Sequence, residues 1–309
     1  MALKIYKQPS IEVKTWREMG NLKFSTKIDI KQADKLLDYT NRILMLGSCF
    51  TTEIGALMRD YKFDVSVNPF GVLYNPCSIA NSVERLTSCR HFGLEEVIQT
   101  NPTDATSAEK YATFWHHSSF ARTSKEEFIE NANKKLDESS VFLRNADTVI
   151  ITLGTAWVFV NNANGEVVSN CHKRVAKEFT RKLLSVEECT LKLQEIADYL
   201  PDKNIIFTVS PIRHLKDGVH GNQISKATLL LSIENVVAQS PWCSYFPSYE
   251  IVLDELRDYR FYAEDMVHPS PLAVRYIFEK FKESNISPLA YKQMEDNMRL
   301  TKAENHIQK

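Results

Sequence analysis

Four short apolar runs punctuate the chain, and each ends abruptly on a small, polar or turn-forming residue. Ile43-Leu44-Met45-Leu46 runs into Gly47-Ser48, and Phe63–Val67 runs into Asn68-Pro69-Phe70-Gly71. Thr148–Leu153 stops at Gly154, and Asn204–Val209 stops at Ser210-Pro211. The first run is continuously apolar, as suits a strand buried on both faces of a parallel sheet.

Between the runs the apolar period changes to that of a helix. Phe50, Ile54, Leu57 and Tyr61 recur at three- and four-residue steps directly after Ser48, which predicts an amphipathic helix. Pro76 suits the first turn of a helix carrying Ile79, Val83 and Leu86. Ser124 with Glu127, and Ser185 with Glu188, have capping-box spacing in front of further helical stripes. Ile224–Ala238 reads as a helix, and Ser270-Pro271 starts another carrying Val274, Ile277, Phe278 and Phe281. Val158–Val168, with Asn-Ala-Asn-Gly at its centre, predicts a hairpin. Glu250–Leu253 reads as one more short strand, and residues 87–123 as a long irregular insertion. Strands alternating with helices predict an α/β fold, a mainly parallel sheet between two helical layers. The organisation expected is an arm over residues 1–40, one domain over 41–285 and a helical tail over 286–309.

Composition narrows the partners. With 309 residues, 43% hydrophobic and 25% charged, the chain is ordinary globular material. A formal net charge of −1 gives no field to recruit nucleic acid or an anionic membrane. No run approaches the roughly 18–20 apolar residues of a membrane span, and Met1–Lys14 lacks the apolar core of a secretory signal. Six cysteines without a C-x-x-C pair fit reduced thiols in the cytoplasm, which is the expected location.

Candidate chemistry lies at the ends of the strands, where open parallel sheets bind ligands. Ser48 sits between a strand and a helix N-terminus, where free N–H groups and the helix dipole favour a developing negative charge. Near the other end of the chain, Asp265-Met266-Val267-His268 holds a carboxylate and an imidazole three residues apart. A neutral histidine takes a serine proton, and a carboxylate orients the ring. Ser48 alone would read as an N-cap; with Asp265 and His268 it becomes a candidate nucleophile. Adjacent Cys49 is the competing nucleophile, though a small buried thiol is the simpler reading.

These blocks, taken in order, resemble the GSCFA family within the SGNH/GDSL hydrolase group. The resemblance rests on Gly47-Ser48-Cys49-Phe50-Thr51, Asn68-Pro69-Phe70-Gly71, Thr152-Leu153-Gly154, Asn170-Cys171-His172-Lys173, Ser210-Pro211-Ile212-Arg213-His214 and Asp265-Met266-Val267-His268-Pro269, over roughly residues 40–285. It implies a flavodoxin-like three-layer fold and ester hydrolysis. By position it makes Ser48 the nucleophile, His268 the base and Asp265 its orienting acid. The backbone N–H groups of Ser48 and Gly71 would form an oxyanion hole. The SGNH pattern places an asparagine two residues after the third-block glycine, whereas here Gly154 is followed by Thr155 and Ala156. Asn170, His172 and Thr155 are the candidate substitutes for that donor.

Asn170, His172, Lys173, Arg213 and His214 could bind an anionic part of a substrate or form structural ion pairs. None of His116, His117, His172, His214, His220 and His268 has the helical spacing of a zincin, so no metal and no other cofactor is expected. The expected function is a serine hydrolase acting on a small-molecule or glycan ester, with acyl groups on carbohydrates in view. The alternative is a non-catalytic relative that keeps the cleft to bind a ligand.

Overall fold

The computed structural model describes residues 25–101 and 109–307. Most of the expected arm, residues 1–24, and part of the expected insertion, residues 102–108, lie outside the described residues.

The central sheet has five strands, all parallel: β1 (Arg42–Gly47), β2 (Asp64–Val67), β5 (Thr148–Leu153), β9 (Asn204–Val209) and β10 (Cys243–Phe246). Their spatial order is β2-β1-β5-β9-β10, which is 2-1-3-4-5 in order of appearance. That is the flavodoxin-like, doubly wound order, with its switch point between the first and third strands. Register aligns the carboxyl ends: Gly47 pairs with Thr152, and Leu153 with Val209. The residues that follow each strand therefore share one edge.

Strand side chains alternate between two cores. Leu44, Leu46, Val149, Ile151, Leu153, Ile205, Phe207 and Val209 face one core. Its helices are α2 (Pro76–Ser88), α3 (Lys125–Arg144), α4 (Val186–Tyr199) and α5 (Gly218–Gln239). Ile43, Met45, Ile150, Ile206 and Phe246 face the other core. There they meet α1 (Cys49–Asp60), α7 (Pro271–Asn285) and α8 (Tyr291–Ile307). The protein is a three-layer α/β/α structure.

Of the two expected capping boxes one is complete, while at Ser124 the hydroxyl accepts from Glu127 N without the return bond. Ser185 and Glu188 form a reciprocal capping box on α4, and the Ser270 hydroxyl accepts from Ala273 N ahead of Pro271. A small antiparallel pair, β3 (Ile98–Thr100) with β4 (Lys110–Ala112), lies within the insertion. The expected hairpin is β6 (Trp157–Asn161) with β7 (Val167–Val168), joined by β8 (Phe179–Leu183).

Residues 250–253 are not a strand. The short helix α6 (Ser248–Glu250) passes into a π-helix, Ile251–Leu256. Ser248, Ile251, Val252 and Glu255 are buried while Leu253 is exposed, the three- and four-residue spacing of a helical face rather than the alternation of a strand. The fifth strand is the polar-looking Cys-Ser-Tyr-Phe just before it.

Candidate active site

Gly47 sets the Ser48 turn. Its φ of 143° and a clearance of 2.2 Å between an added Cβ and Thr152 O admit no side chain. Ser48 then takes an extended conformation (φ −70°, ψ 178°) as the residue preceding α1, but its hydroxyl makes no capping bond. That hydroxyl is buried and has no hydrogen-bond partner among the described residues, and the same holds for the Thr51 hydroxyl one turn on. Simple capping does not account for Ser48.

The second block is sewn to the first. The Asn68 side chain accepts from Gly47 N at 2.8 Å and donates to Thr52 Oγ1 at 3.2 Å, while Leu73 N donates to Gly47 O at 2.9 Å. Gly71 (φ 82°) lies against His117, whose Cβ would be 2.3 Å from an added methyl.

The expected oxyanion donors are engaged. Ser48 N donates to Thr152 O at 3.2 Å, extending the β1–β5 ladder by one residue. Gly71 N donates to Asn68 O at 2.8 Å, closing its own turn. Neither N–H group points free in this conformation.

The third block is also tied down. Gly154 N and Thr155 N both donate to Tyr74 O, at 2.7 and 3.0 Å. The Thr155 hydroxyl pairs with Ser225 Oγ at 3.0 Å and accepts from Trp157 N at 3.1 Å. It is thus occupied inside the fold and does not replace the absent asparagine. Tyr74 was not singled out from sequence. Its ring packs on Gly154 and its hydroxyl lies 3.4 Å from Cys49 Sγ, bridging the first and third blocks; burial pushes its pKa upward.

Lys226 was missed as well. It is 1% exposed, and its Nζ donates to Gly154 O and Ser210 O, each at 2.7 Å. Burial pushes its pKa down to about 7. Asn222, Ser225 and Lys226 lie on one face of α5, and the other two join in: Asn222 accepts from His214 N, and Ser225 from Ala156 N. Polar residues at that spacing, beginning before the apolar stretch at Ile224, were the available signal.

The Asp265–His268 loop has the most defined geometry. Asp265 Oδ1 accepts from the N–H groups of Val267 and His268, both at 2.9 Å, and Oδ2 faces His268 Nδ1 at 2.6 Å. Backbone N–H from His268 and then Val267, followed by the imidazole, hold the carboxyl down at about 2. A carboxylate at Nδ1 fixes the proton there and leaves Nε2 as the basic nitrogen. The ring is half exposed, and it makes no hydrogen bond to the Ser48 hydroxyl in this conformation.

The five expected substrate-binding residues fall into two groups. Asn170 Oδ1 accepts from His172 N, and buried His172 turns Nε2 to Thr113 O at 2.8 Å; burial lowers its pKa. Lys173 is exposed. Arg213 supports the Asp265–His268 loop: its N–H donates to Val267 O, and its guanidinium lies 4.1 Å over the Tyr262 ring and reaches Met266 O at 3.5 Å. His214 Nδ1 lies 3.2 Å from Asp217 Oδ2. No hydrogen bond among the described residues joins either group to Ser48.

Comparison with known proteins bears on this arrangement. The profile of the GSCFA family matches residues 42–281, most of the chain. The chain belongs to the GSCFA family. In this GSCFA protein the matched stretch runs from the start of β1 to within α7, so it takes in every block that lines the strand ends. No curated protein matches the sequence. Among solved structures, this one is similar to an acetyl xylan esterase (Est2A) from the rumen bacterium Butyrivibrio proteoclasticus. Identity is 12% and the TM-score 0.36, with 80% of this chain and 65% of that chain covered. At that level the likeness bears on neither activity nor substrate. No helix among the described residues is long and apolar enough to cross a membrane.

Proposed function

We propose that this chain is a serine hydrolase of the SGNH type that cleaves an ester, with an acyl group on a carbohydrate as the first substrate class to test. Ser48 is the nucleophile, His268 the base and Asp265 the group that orients the imidazole. The reading is carried by the Asp265–His268 pair, in which Nδ1 is committed to the carboxylate at 2.6 Å and Nε2 stays basic.

In this mechanism Ser48 Oγ attacks the acyl carbon while His268 Nε2 takes the hydroxyl proton. Negative charge develops on the carbonyl oxygen at the N-terminus of α1, where the helix dipole favours it. Collapse expels the alcohol, which takes the proton back from His268, and leaves acyl-Ser48. Water then attacks the acyl group with His268 again as base, releasing the acid. Substrate entry has to uncover the Ser48 hydroxyl and bring the Asp265–His268 loop against it; such contacts commonly tighten only in the complex.

We take residues 41–285 as the catalytic unit, with residues 1–40 as an arm and 286–309 as a helical tail. Six unbridged cysteines suit a cytoplasmic setting, and neither nucleic acid nor membrane is part of the reading.

A second reading, a ligand-binding relative without turnover, is favoured by two observations. The N–H groups of Ser48 and Gly71 already have backbone acceptors, and Thr155 and Ala156 stand where the donor asparagine would follow Gly154. Fluorophosphonate labelling of the full chain, with the modified peptide identified by mass spectrometry, separates the two. The hydrolase reading expects label on Ser48, lost in Ser48→Ala and retained in Cys49→Ala. A folded protein that takes no label would establish the binding reading, and label on Cys49 would move the chemistry to the thiol.

A further inference from the structure

Away from the strand ends, the segment after α2 gathers three metal-binding side chains from two elements. The residue closing α2 is Cys89, in a left-handed conformation (φ 51°, ψ 32°) where glycine or asparagine is usual. Two residues on, His91 turns Nε2 to Asp137 Oδ1 at 2.7 Å, and Cys89 Sγ lies 3.5 Å from the same oxygen. Donor atoms from the three residues all lie within 4.8 Å of one another.

The segment that presents Cys89 and His91 is held from beneath. Arg85, 1% exposed, donates to the carbonyl oxygens of Arg90 and His91 at 2.9 and 3.2 Å and pairs with Glu96. Its guanidinium also lies 4.1 Å over the Phe92 ring. Asn133 grips the Phe92 backbone from α3, accepting from its N–H at 2.7 Å and donating to its carbonyl at 3.1 Å. Asn133 and Asp137 are four residues apart on one helix face. The stretch of α3 that fixes the segment therefore also delivers the third donor. An ordinary surface ion pair has no such backing.

We propose that Cys89, His91 and Asp137 bind a zinc-type divalent ion, with water as fourth ligand, clipping the end of α2 to α3. Zinc–sulfur bonds of about 2.3 Å and zinc–nitrogen or zinc–oxygen bonds of about 2.0–2.2 Å, at tetrahedral angles, place ligand atoms about 3.4–3.6 Å apart. The sulfur–oxygen pair already stands at 3.5 Å. The His91–Asp137 contact has to open by about 0.7 Å to reach that spacing, which two half-exposed side chains achieve by rotation. One thiolate, one imidazole and one carboxylate suit a borderline-soft ion, whereas Mg²⁺ and Ca²⁺ take oxygen ligands. Binding releases the thiol proton of Cys89 and requires His91 neutral, so affinity falls with acid. The expectation of no metal rests on cysteine and histidine spacing within short motifs; here the third donor lies 46 residues from the histidine.

The test is titration of the reduced full chain with Co²⁺ alone, followed by competition with Zn²⁺. One equivalent of Co²⁺ should produce a thiolate-to-cobalt charge-transfer band and the intense visible bands of four-coordination, both removed by Zn²⁺. Cys89→Ser should abolish the charge-transfer band, whereas Cys49→Ser and Cys171→Ser, at the other partly exposed thiols away from this cluster, should keep it. Losing a group that only orients a ligand costs about 10–100-fold in affinity, so His91→Ala and Asp137→Asn should each weaken binding at least that much. Zn²⁺ should raise the Tm of the wild type and of none of these three ligand variants, whose native circular dichroism is checked first. An absent band, a band that survives Cys89→Ser, or equal affinity in folded Asp137→Asn would overturn the proposal.

Discussion

Lys226 Nζ lies 2.7 Å from the carbonyl oxygen of Gly154, and makes an equal bond to Ser210 O. A single amine from α5 thus joins the carboxyl ends of β5 and β9, two of the strands whose ends share the edge of the candidate site. Lys226→Met removes that tie and takes the donor from one buried and one partly buried carbonyl, at about 1–3 kcal/mol for the buried one.

The same residue makes stability depend on pH. Its amine is held down at about 7 in the folded protein, against about 10.4 when unfolded. Between those values the unfolded chain binds the extra proton, so stability should rise with pH through that window. The upper limit is about 1.4 kcal/mol per unit of difference, less whatever the two carbonyl bonds return to the charged form. Urea unfolding from pH 6 to 10 should show wild type gaining on Lys226→Met as pH rises. Parallel curves for the two proteins would contradict this.

For hydrolysis of an ester substrate, His268→Ala should lower kcat/KM about as much as Ser48→Ala, because base and nucleophile act as one unit. The double variant should add little to either loss. Asp265→Ala should cost less, since a backbone carbonyl or water can hold the ring. Asp265 is held down at about 2, so an acid limb above about pH 4 reports the imidazole rather than this carboxylate. Steady-state kinetics across pH decides it, and a flat profile or an active His268→Ala variant would remove the triad from the reaction.

Gly47→Ala should destabilise the fold by about 3 kcal/mol or more, because the new methyl adds overlap with a neighbouring strand to an unfavourable dihedral. The obstacle, Thr152 O, is backbone and cannot swing aside. Chemical denaturation measures the loss; a variant within about 1 kcal/mol of wild type would show that the β1–β5 spacing can relax.

Much of this architecture was legible in the sequence because local and global preferences agree. Ile43–Leu46 and Val149–Ile151 are apolar without interruption because both faces of their strands are buried, and Ser185 with Glu188 reads as a helix start because each caps the other. Residues 250–253 misled for the opposite reason. A run of Ile, Val and Leu satisfies strand and helix templates alike when it is short, and here tertiary packing selects a π-helix. The real fifth strand, Cys243–Phe246, is half polar and carries no comparable pattern. Around the candidate site, sequence named Ser48, Asp265 and His268 but not the residues beneath them. Lys226 looks like a solvated charge on a helix until its two carbonyl acceptors are known, and Tyr74 becomes visible only once β1 and β5 stand side by side.

The alternation along β5 separates residues that are covalent neighbours. Ile150 packs into one core and Ile151 into the other, with the sheet's hydrogen-bonded plane between them. Trimming both to valine should therefore give losses that simply sum, as for distant sites. Ile150 and Met45 are far apart in the chain but share a core and a rung of the ladder, and trimming those two should give a combined loss that departs from the sum. In this protein distance along the chain and energetic independence run in opposite directions.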